Sequence, residues 1–260
     1  VLFAQAWSYI SRWFSNARGV HQKKLSWIKR DAPWISELRD SSETVEIGNI
    51  RYGFVQNGTS DNHWNALTNL SFKADKMTLV APYYDHDGKT IEALIKLFQP
   101  NNTSCVVDDS TGKPPLKFGM ERDDVSFYRW HDCIEREDEF KGRLHAKMIH
   151  LINGDEEVLY LGSANITVQA LGEKHANDEA GILLRRALTK SSWLEELGVQ
   201  TNERITEFKQ IKFDFESTKV NETLTAVDVL DDLSGHDSDS TSWTRLEDSP
   251  ASLKNILSSN

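Results

Sequence analysis

The chain has little cysteine, no long apolar run and no surplus of positive charge, and each shortage closes off a class of function. Cys105 and Cys133 are the only two cysteines in 260 residues. They are too few for a disulfide framework and have no partner pair at metal-ligand spacing, so a reducing, cytoplasmic setting is the default. No stretch of about 18 apolar residues occurs, so no segment reads as a transmembrane helix. The opening residues lack the basic-then-apolar layout of a secretory signal. Acids outnumber bases by 40 to 30, a net charge of −10, which disfavours a protein that coats nucleic acid with a broad basic face but leaves room for a local basic groove. No internal repeat is apparent. The chain starts at Val1 rather than Met, which points to a fragment or a processed product.

What is present argues for a packed domain. Hydrophobic residues make up 38% of the chain and eight are Trp, too many for a disordered polymer. The length suits one generous domain, alone or with appendages. Residues 1 to about 40 carry helical spacing, with Trp7, Ile10, Trp13 and Phe14 three and four apart, then Leu25 and Ile28, then Ile35 and Leu38. That pattern predicts helices laid over a core by a Trp-rich stripe, with Pro33 starting the third. From Thr44 short strand-like runs take over. Residues 76–85 read as a buried strand ending in a turn, 89–98 as an amphipathic helix and 103–107 as a second strand, the signature of a sheet with parallel neighbours. The reading is an α/β domain: a mixed sheet with helices on both faces, preceded by helices and followed by an acidic extension. Its parts are a helical lead-in (1–43), the main domain (44–200), and an acidic extension or the start of a truncated further domain (201–260). Alternation at Ile211, Phe213 and Phe215 suggests one more strand.

The chemistry gathers between Leu144 and Asn165, LHAKMIHLINGDEEVLYLGSAN. Two apolar strands are joined at Asn153-Gly154, a strong hairpin signal. Period 2 puts His145 and Lys147 on one face of the first strand, and Ser163 and Asn165 share a parity at the end of the second. A three-residue loop would set His145 opposite Ser163; a two- or four-residue loop would set it opposite Ala164 or Gly162. In every register the four polar groups meet at the open end. A neutral imidazole is a nucleophile toward phosphorus, while an ammonium, a hydroxyl and an amide stabilise the non-bridging oxygens of a phosphodiester. Glu179, at the start of the next strand, is the candidate carboxylate for orienting the histidine.

These pieces carry a resemblance. His145-Ala146-Lys147, Gly162-Ser163-Ala164-Asn165 and Asn177-Asp178-Glu179 resemble the H-x-K, G-S-x-N and N-x-E signature of the phospholipase D superfamily, over about residues 45–190. The resemblance implies a metal-independent, cofactor-free phosphodiesterase working through a phosphohistidine. His145 would be nucleophile or acid/base counterpart, Lys147 and Asn165 phosphate ligands, Ser163 a supporting donor and Glu179 the orienting carboxylate. The acid common five residues after the lysine is replaced by Ile152, as in members resembling tyrosyl-DNA phosphodiesterases, which tilts the substrate toward nucleic acid. A lipid phosphodiesterase or phosphatidyl transferase is the alternative within this chemistry; no amphipathic basic helix is apparent in the sequence to support it. The superfamily uses two such motifs per site and this chain has one, so the second half comes from a homodimer partner or from a missing part of the parent chain. On a third reading the chain is a non-catalytic half or interaction lobe.

The remaining polar residues read more plainly. His150 points to the other face and packs; His63, His86, His131 and His175 are structural or on the surface. Asp85-His86-Asp87 is a turn before it is a metal site. Tyr83 and Tyr84 pack in the core. Lys113, Lys117, Arg185 and Arg186 are candidates for phosphate contact, the two arginines equally for a solvated strand end, and the run from Glu135 to Glu139 is a solvated face.

Overall fold

Two helices open the chain, α1 (Leu2–Asn16) and α2 (Val20–Asp31), and Pro33 starts a short 3-10 turn, Pro33–Glu37. In chain order there follow β1 (Val45–Ile47), β2 (Ile50–Gln56), α3 (His63–Asn69), β3 (Lys76–Ala81), α4 (Lys89–Phe98), β4 (Asn102–Val107) and β5 (Val125–Arg129). Then come β6 (Met148–Asn153), β7 (Glu156–Gly162), α5 (Val168–Leu171), β8 (Ala180–Ala187), α6 (Trp193–Glu196) and β9 (Arg204–Ile205). This computed structural model describes residues 1–208 apart from 17–18, 39–43, 58–61, 120–121, 135–141 and 173–176. The expected strand through Ile211, the acidic extension to 260, the acidic run 135–139 and His175 lie outside the described residues.

Among the described residues one sheet runs in the order β1-β2-β8-β7-β6-β3-β4-β5-β9. β3, β4 and β5 are parallel and the rest pair antiparallel. The sheet is mixed because α4 carries the chain from β3 back to the start of β4, while a tight turn joins β6 to β7. β3 and β4 sit between neighbours with helices over both faces, so their apolar residues run without alternation. Met77, Leu79 and Ala81 pack under α3, α4 and α5 with Ile91, Leu94, Phe98, Tyr160 and Leu171. Val80, Val106, Met148 and Leu159 meet Trp193 and Leu194 of α6 on the other face. Past residue 200 the chain still feeds the sheet, with Ile205 of β9 opposite Phe127 and buried.

Of the three loop lengths that the sequence leaves open, the hairpin takes the two-residue one. Asn153 pairs with Glu156, leaving a two-residue loop of Gly154 and Asp155. Gly154 adopts φ +49°, a left-handed backbone that glycine takes without steric cost. Its N–H donates to Asp75 Oδ2 at 2.8 Å, and the Leu188 N–H donates to Asp155 O at 2.6 Å. Neighbouring chain therefore fixes this loop. The ladder registers Met148 against Leu161, a frame that extrapolates His145 opposite Ala164 rather than Ser163. Residues 142–147 precede the strand and belong to no regular element.

The lead-in corrects an expectation. α1 turns its polar side to the sheet: Ala4 and Gln5 are buried, Tyr9 lies 6.1 Å from the Phe54 ring, and Arg12 Nη2 donates to Gln56 Oε1 at 2.8 Å. The small Ala4 permits close approach, and β2 offers an aromatic ring and an amide to match. The aromatic stripe faces outward, with Phe3 at 79%, Ile10 at 40% and Trp13 at 46% exposure.

His150 is a buried polar residue rather than a packing filler. Its Nε2 is 2.8 Å from Glu157 Oε2, which also accepts the Trp193 N–H at 2.9 Å, while Arg186 Nε donates to Glu157 Oε1 at 2.6 Å. Glu157 is fully buried, so its charge depends on these donors. Burial lowers the His150 pKa, opposed by Glu157. Glu157→Leu is expected to cost about 3–5 kcal/mol in urea denaturation, because it takes the acceptor from the buried His150 ring, the Trp193 N–H and Arg186 Nε and leaves the guanidinium with Glu196 alone. Glu156→Leu, which breaks the exposed pair with Arg185, is expected to cost about 1 kcal/mol or less.

Candidate active site

The open end of the hairpin assembles the expected residues in two pairs. Lys147 is 7% exposed, and its Nζ donates to the His145 backbone oxygen at 2.8 Å and lies 3.3 Å from His145 Nδ1. The imidazole itself is exposed. On the neighbouring strands the Ser163 hydroxyl donates to Glu179 Oε2 and accepts the Ala180 N–H at 3.0 Å. The pairs are stitched by backbone bonds, Gly162 N to Lys147 O at 3.2 Å and Ser163 N to Ala180 O at 2.9 Å. They also meet electrostatically: burial lowers the Lys147 pKa, and the charge of Glu179 acts to raise it. Asn165 lies three residues past β7, its Oδ1 buried without a hydrogen-bond partner.

The carboxylate's hydrogen bond is not where orientation of His145 would put it. Among the described residues Glu179 bonds Ser163 and has no hydrogen bond to His145. With Lys147 protonated, its N–H makes His145 Nδ1 the acceptor, and the ring proton then sits on Nε2. That tautomer suits donation to a leaving oxygen; attack through Nε2 requires the proton on Nδ1 instead.

The motif glycine has a steric reason. A Cβ on Gly162 would collide with the Tyr160 hydroxyl, and one on Gly181 with the Tyr160 ring. That ring supports the turn from below, its hydroxyl 3.4 Å from the Ala164 N–H that donates to it.

Two aspartates that the sequence reasoning treated only as loop hold the segment in place. Asp108, at the end of β4, accepts the Leu144 N–H at 3.2 Å just ahead of His145. The same carboxylate accepts from the Ser110 and Thr111 backbone and hydroxyls at 2.6–3.1 Å. Burial would raise its pKa, yet these hydrogen bonds hold it well below the usual carboxylate range. The signal was the run Asp108-Asp109-Ser110-Thr111 directly after a strand, a side-chain-capped turn. Asp85 fills the corresponding place after β3, accepting the Val168 N–H at 3.1 Å and the Thr90 N–H at 3.0 Å. The turn reading of 85–88 holds through Gly88 N to Asp85 O at 3.0 Å.

Behind Glu179 lies a buried network also missed. Asn57 N–H donates to Glu179 O at 2.9 Å, and Asn57 Nδ2 donates to Ala170 O and Asn177 O, both at 2.9 Å. Its Oδ1 accepts the His63 N–H at 3.1 Å and lies 2.7 Å from His63 Nδ1. His63, 1% exposed, sits edge-on to Tyr160 at 5.4 Å. One amide thus ties the start of α3, the end of α5 and the Asn177–Glu179 segment together.

The other candidates are occupied elsewhere. Tyr84 is buried with its hydroxyl 3.0 and 2.9 Å from Leu79 O and Val106 O. Arg185 pairs with Glu156 and Arg186 with Glu157 and Glu196. Lys113 and Lys117 are exposed. No His, Cys, Asp and Glu cluster suited to a metal occurs among the described residues, and no helix there is long and apolar enough to cross a membrane.

No family model matches the chain, and neither does any curated protein. Among solved structures, NucT from Helicobacter pylori is similar at 12% identity and TM-score 0.38, covering 52% of this chain and 85% of that one. Nuc from Salmonella typhimurium, a phospholipase D family member, is similar at 13% identity and TM-score 0.34, over 53% of this chain and 84% of its own. Yeast tyrosyl-DNA phosphodiesterase is similar at 15% identity and TM-score 0.32, over 51% and 32%. What the site can do follows from its own atoms.

His63 makes the support behind Glu179 sensitive to acid. Burial lowers its pKa from the ordinary 6.5 to about 4, so the unfolded chain takes up a proton at pH 6.5 that the folded chain refuses until about 4. Stability is therefore fully present above 6.5 and falls as pH drops through that window, by roughly 2 kcal/mol at pH 5. Urea midpoints at pH 7 and pH 5 measure this, and His63→Gln is expected to remove that part of the slope.

Proposed function

We propose that the chain is a phosphodiesterase of the phospholipase D type, acting on nucleic acid through a phosphohistidine intermediate. The observation that carries this reading is a buried lysine ammonium held against an exposed imidazole, with Asn165, Ser163 and Glu179 beside them. Once Lys147 turns from Nδ1 to the phosphate oxygens and the ring proton moves to Nδ1, His145 Nε2 attacks phosphorus, the P–O bond to the leaving group breaks, and a phosphoramidate forms. Lys147 and the Asn165 amide compensate the charge on the non-bridging oxygens. Ser163 fixes Glu179, whose charge keeps Lys147 protonated despite its burial. Water then cleaves the P–N bond and releases the phosphate.

The proton for the leaving oxygen comes from a second H-x-K histidine, in a partner copy or elsewhere in the parent chain. A second copy is the simpler source for the chain by itself. The substrate tilt toward nucleic acid rests on Ile152 standing where the motif acid is common.

Replacing His145 by Ala is expected to lower phosphodiesterase turnover at least about 1,000-fold, while EDTA leaves it intact. Loss of activity to EDTA, or retention in His145→Ala, overturns the mechanism. A further test uses pH. Burial lowers the Lys147 pKa, so the ammonium is lost below the ordinary lysine range and kcat/KM falls on the alkaline side earlier than for a free lysine. Lys147→Arg, protonated throughout, is expected to keep reduced activity and lose that alkaline limb. A limb unchanged in the arginine variant would remove Lys147 from this role.

A further inference from the structure

An amphipathic helix normally buries its apolar stripe; α1 does the reverse. Phe3, Trp7, Ile10, Trp13 and Phe14 recur at spacings of three and four, which places them along one side of the helix. Of these, Phe3, Ile10 and Trp13 are 40–79% exposed, and Trp7 and Phe14 are partly so. The opposite side is the one buried on β2, through Ala4, Gln5, Tyr9 and Arg12. The outward stripe contains no charge. Its neighbours continue it, with Val20 and Trp27 of α2 at 60% and 47% exposure and Trp34 at 56%. The charge here also runs against the rest of the chain. Residues 1–38 hold six Lys and Arg against two Asp and Glu, a net of +4 in a protein of −10. Lys23, Lys24 and Lys29 are exposed on α2.

We propose that this helical lead-in docks on the surface of an anionic phospholipid bilayer. A charge-free apolar stripe on α1 suits insertion at the level of the acyl chains, and the lysines of α2 suit the lipid phosphates beside them. Trp residues favour the same depth, since an indole has an apolar body and an N–H for the interface. A nucleic-acid strand fits this face less well. It needs cations interleaved with the rings, and the only cation of α1, Arg12, lies on the inward side and is bonded to Gln56. The buried side of α1, not the stripe, is the one that faces the candidate active site. α1 lies on β2, and the Tyr9 hydroxyl has its pKa raised by burial and then by Asp178 and Glu179. The inference does not rest on the catalytic reading.

Flotation of the full chain with vesicles tests it. Vesicles of phosphatidylglycerol and phosphatidylcholine are expected to carry the protein at low salt. Neutral phosphatidylcholine vesicles are expected to carry it at least about tenfold less well, and added salt to weaken the binding. A triple variant Phe3→Ser, Ile10→Ser, Trp13→Ser, at positions 40–79% exposed, where the Trp13 ring also meets Phe14 and His21, is expected to lose at least about tenfold in affinity. Lys23→Glu, Lys24→Glu, Lys29→Glu is expected to do the same. Circular dichroism confirms that both fold, and His145→Ala is expected to float like the parent. Failure to bind anionic vesicles overturns the proposal, as does equal binding by both variants. It is also overturned if light scattering finds an oligomer that the serine variant dissociates, which makes a second copy the occupant. Loss of single-stranded DNA binding in the serine variant, with flotation unchanged, overturns it as well.

Discussion

Burying an ammonium group is costly unless a negative charge stands close by, and that requirement organises this site. Lys147 is almost wholly enclosed, on the segment leading into β6; its Nζ is held by the His145 backbone oxygen and Nδ1, and the charge of Glu179, at the start of β8, offsets part of the cost without a direct ion pair. β7 lies between those strands: its Gly162 N–H donates to Lys147 O on one side, and Ser163, just past its end, donates to Glu179 and accepts the Ala180 N–H on the other. The arrangement requires β6, β7 and β8 to be adjacent, so the order of the sheet and the chemistry of its edge are one constraint. Tyr160 fills the space beneath the turn and leaves no room for a side chain at Gly162 or Gly181. Asn57 closes the assembly by holding the backbone on both sides of the carboxylate.

Much of this was legible in the amino-acid order. Runs such as KMTLVA and MIHLIN are apolar enough to be read as strands, and α4 announces itself by spacing and by Gly88 before it. The clustering of His145, Lys147, Ser163 and Asn165 followed from two strands and one turn. The register did not, because Gly154 and Asp155 form the loop only with help from Asp75 and Leu188, residues remote from the hairpin. His150 and Glu157 were opaque for a related reason. A histidine and a glutamate seven apart become a buried pair only once the hairpin closes, and Arg186 arrives from a third strand. Asn57 and His63 are likewise ordinary loop and helix residues until α5 and the segment before β8 are packed on them.

The lead-in shows where periodicity misleads. A 3.6-residue stripe says that a helix has an apolar side; it does not say that the side faces the domain. On α1 the inward face is chosen by fit to β2, where a small residue, a tyrosine and an arginine match a phenylalanine and a glutamine. Orientation of such a helix is a contest between two surfaces. Here the polar one wins on the protein side and leaves the apolar one to solvent or to something else.

Asp108 gives the fold a different kind of freedom. By gripping the Leu144 N–H from the end of β4, it fixes the point at which the chain re-enters the site, whatever path the chain takes to get there. Leu144 therefore follows β4 rather than the residues that come before it in the chain. A single carboxylate thereby makes the position of the histidine a property of the sheet.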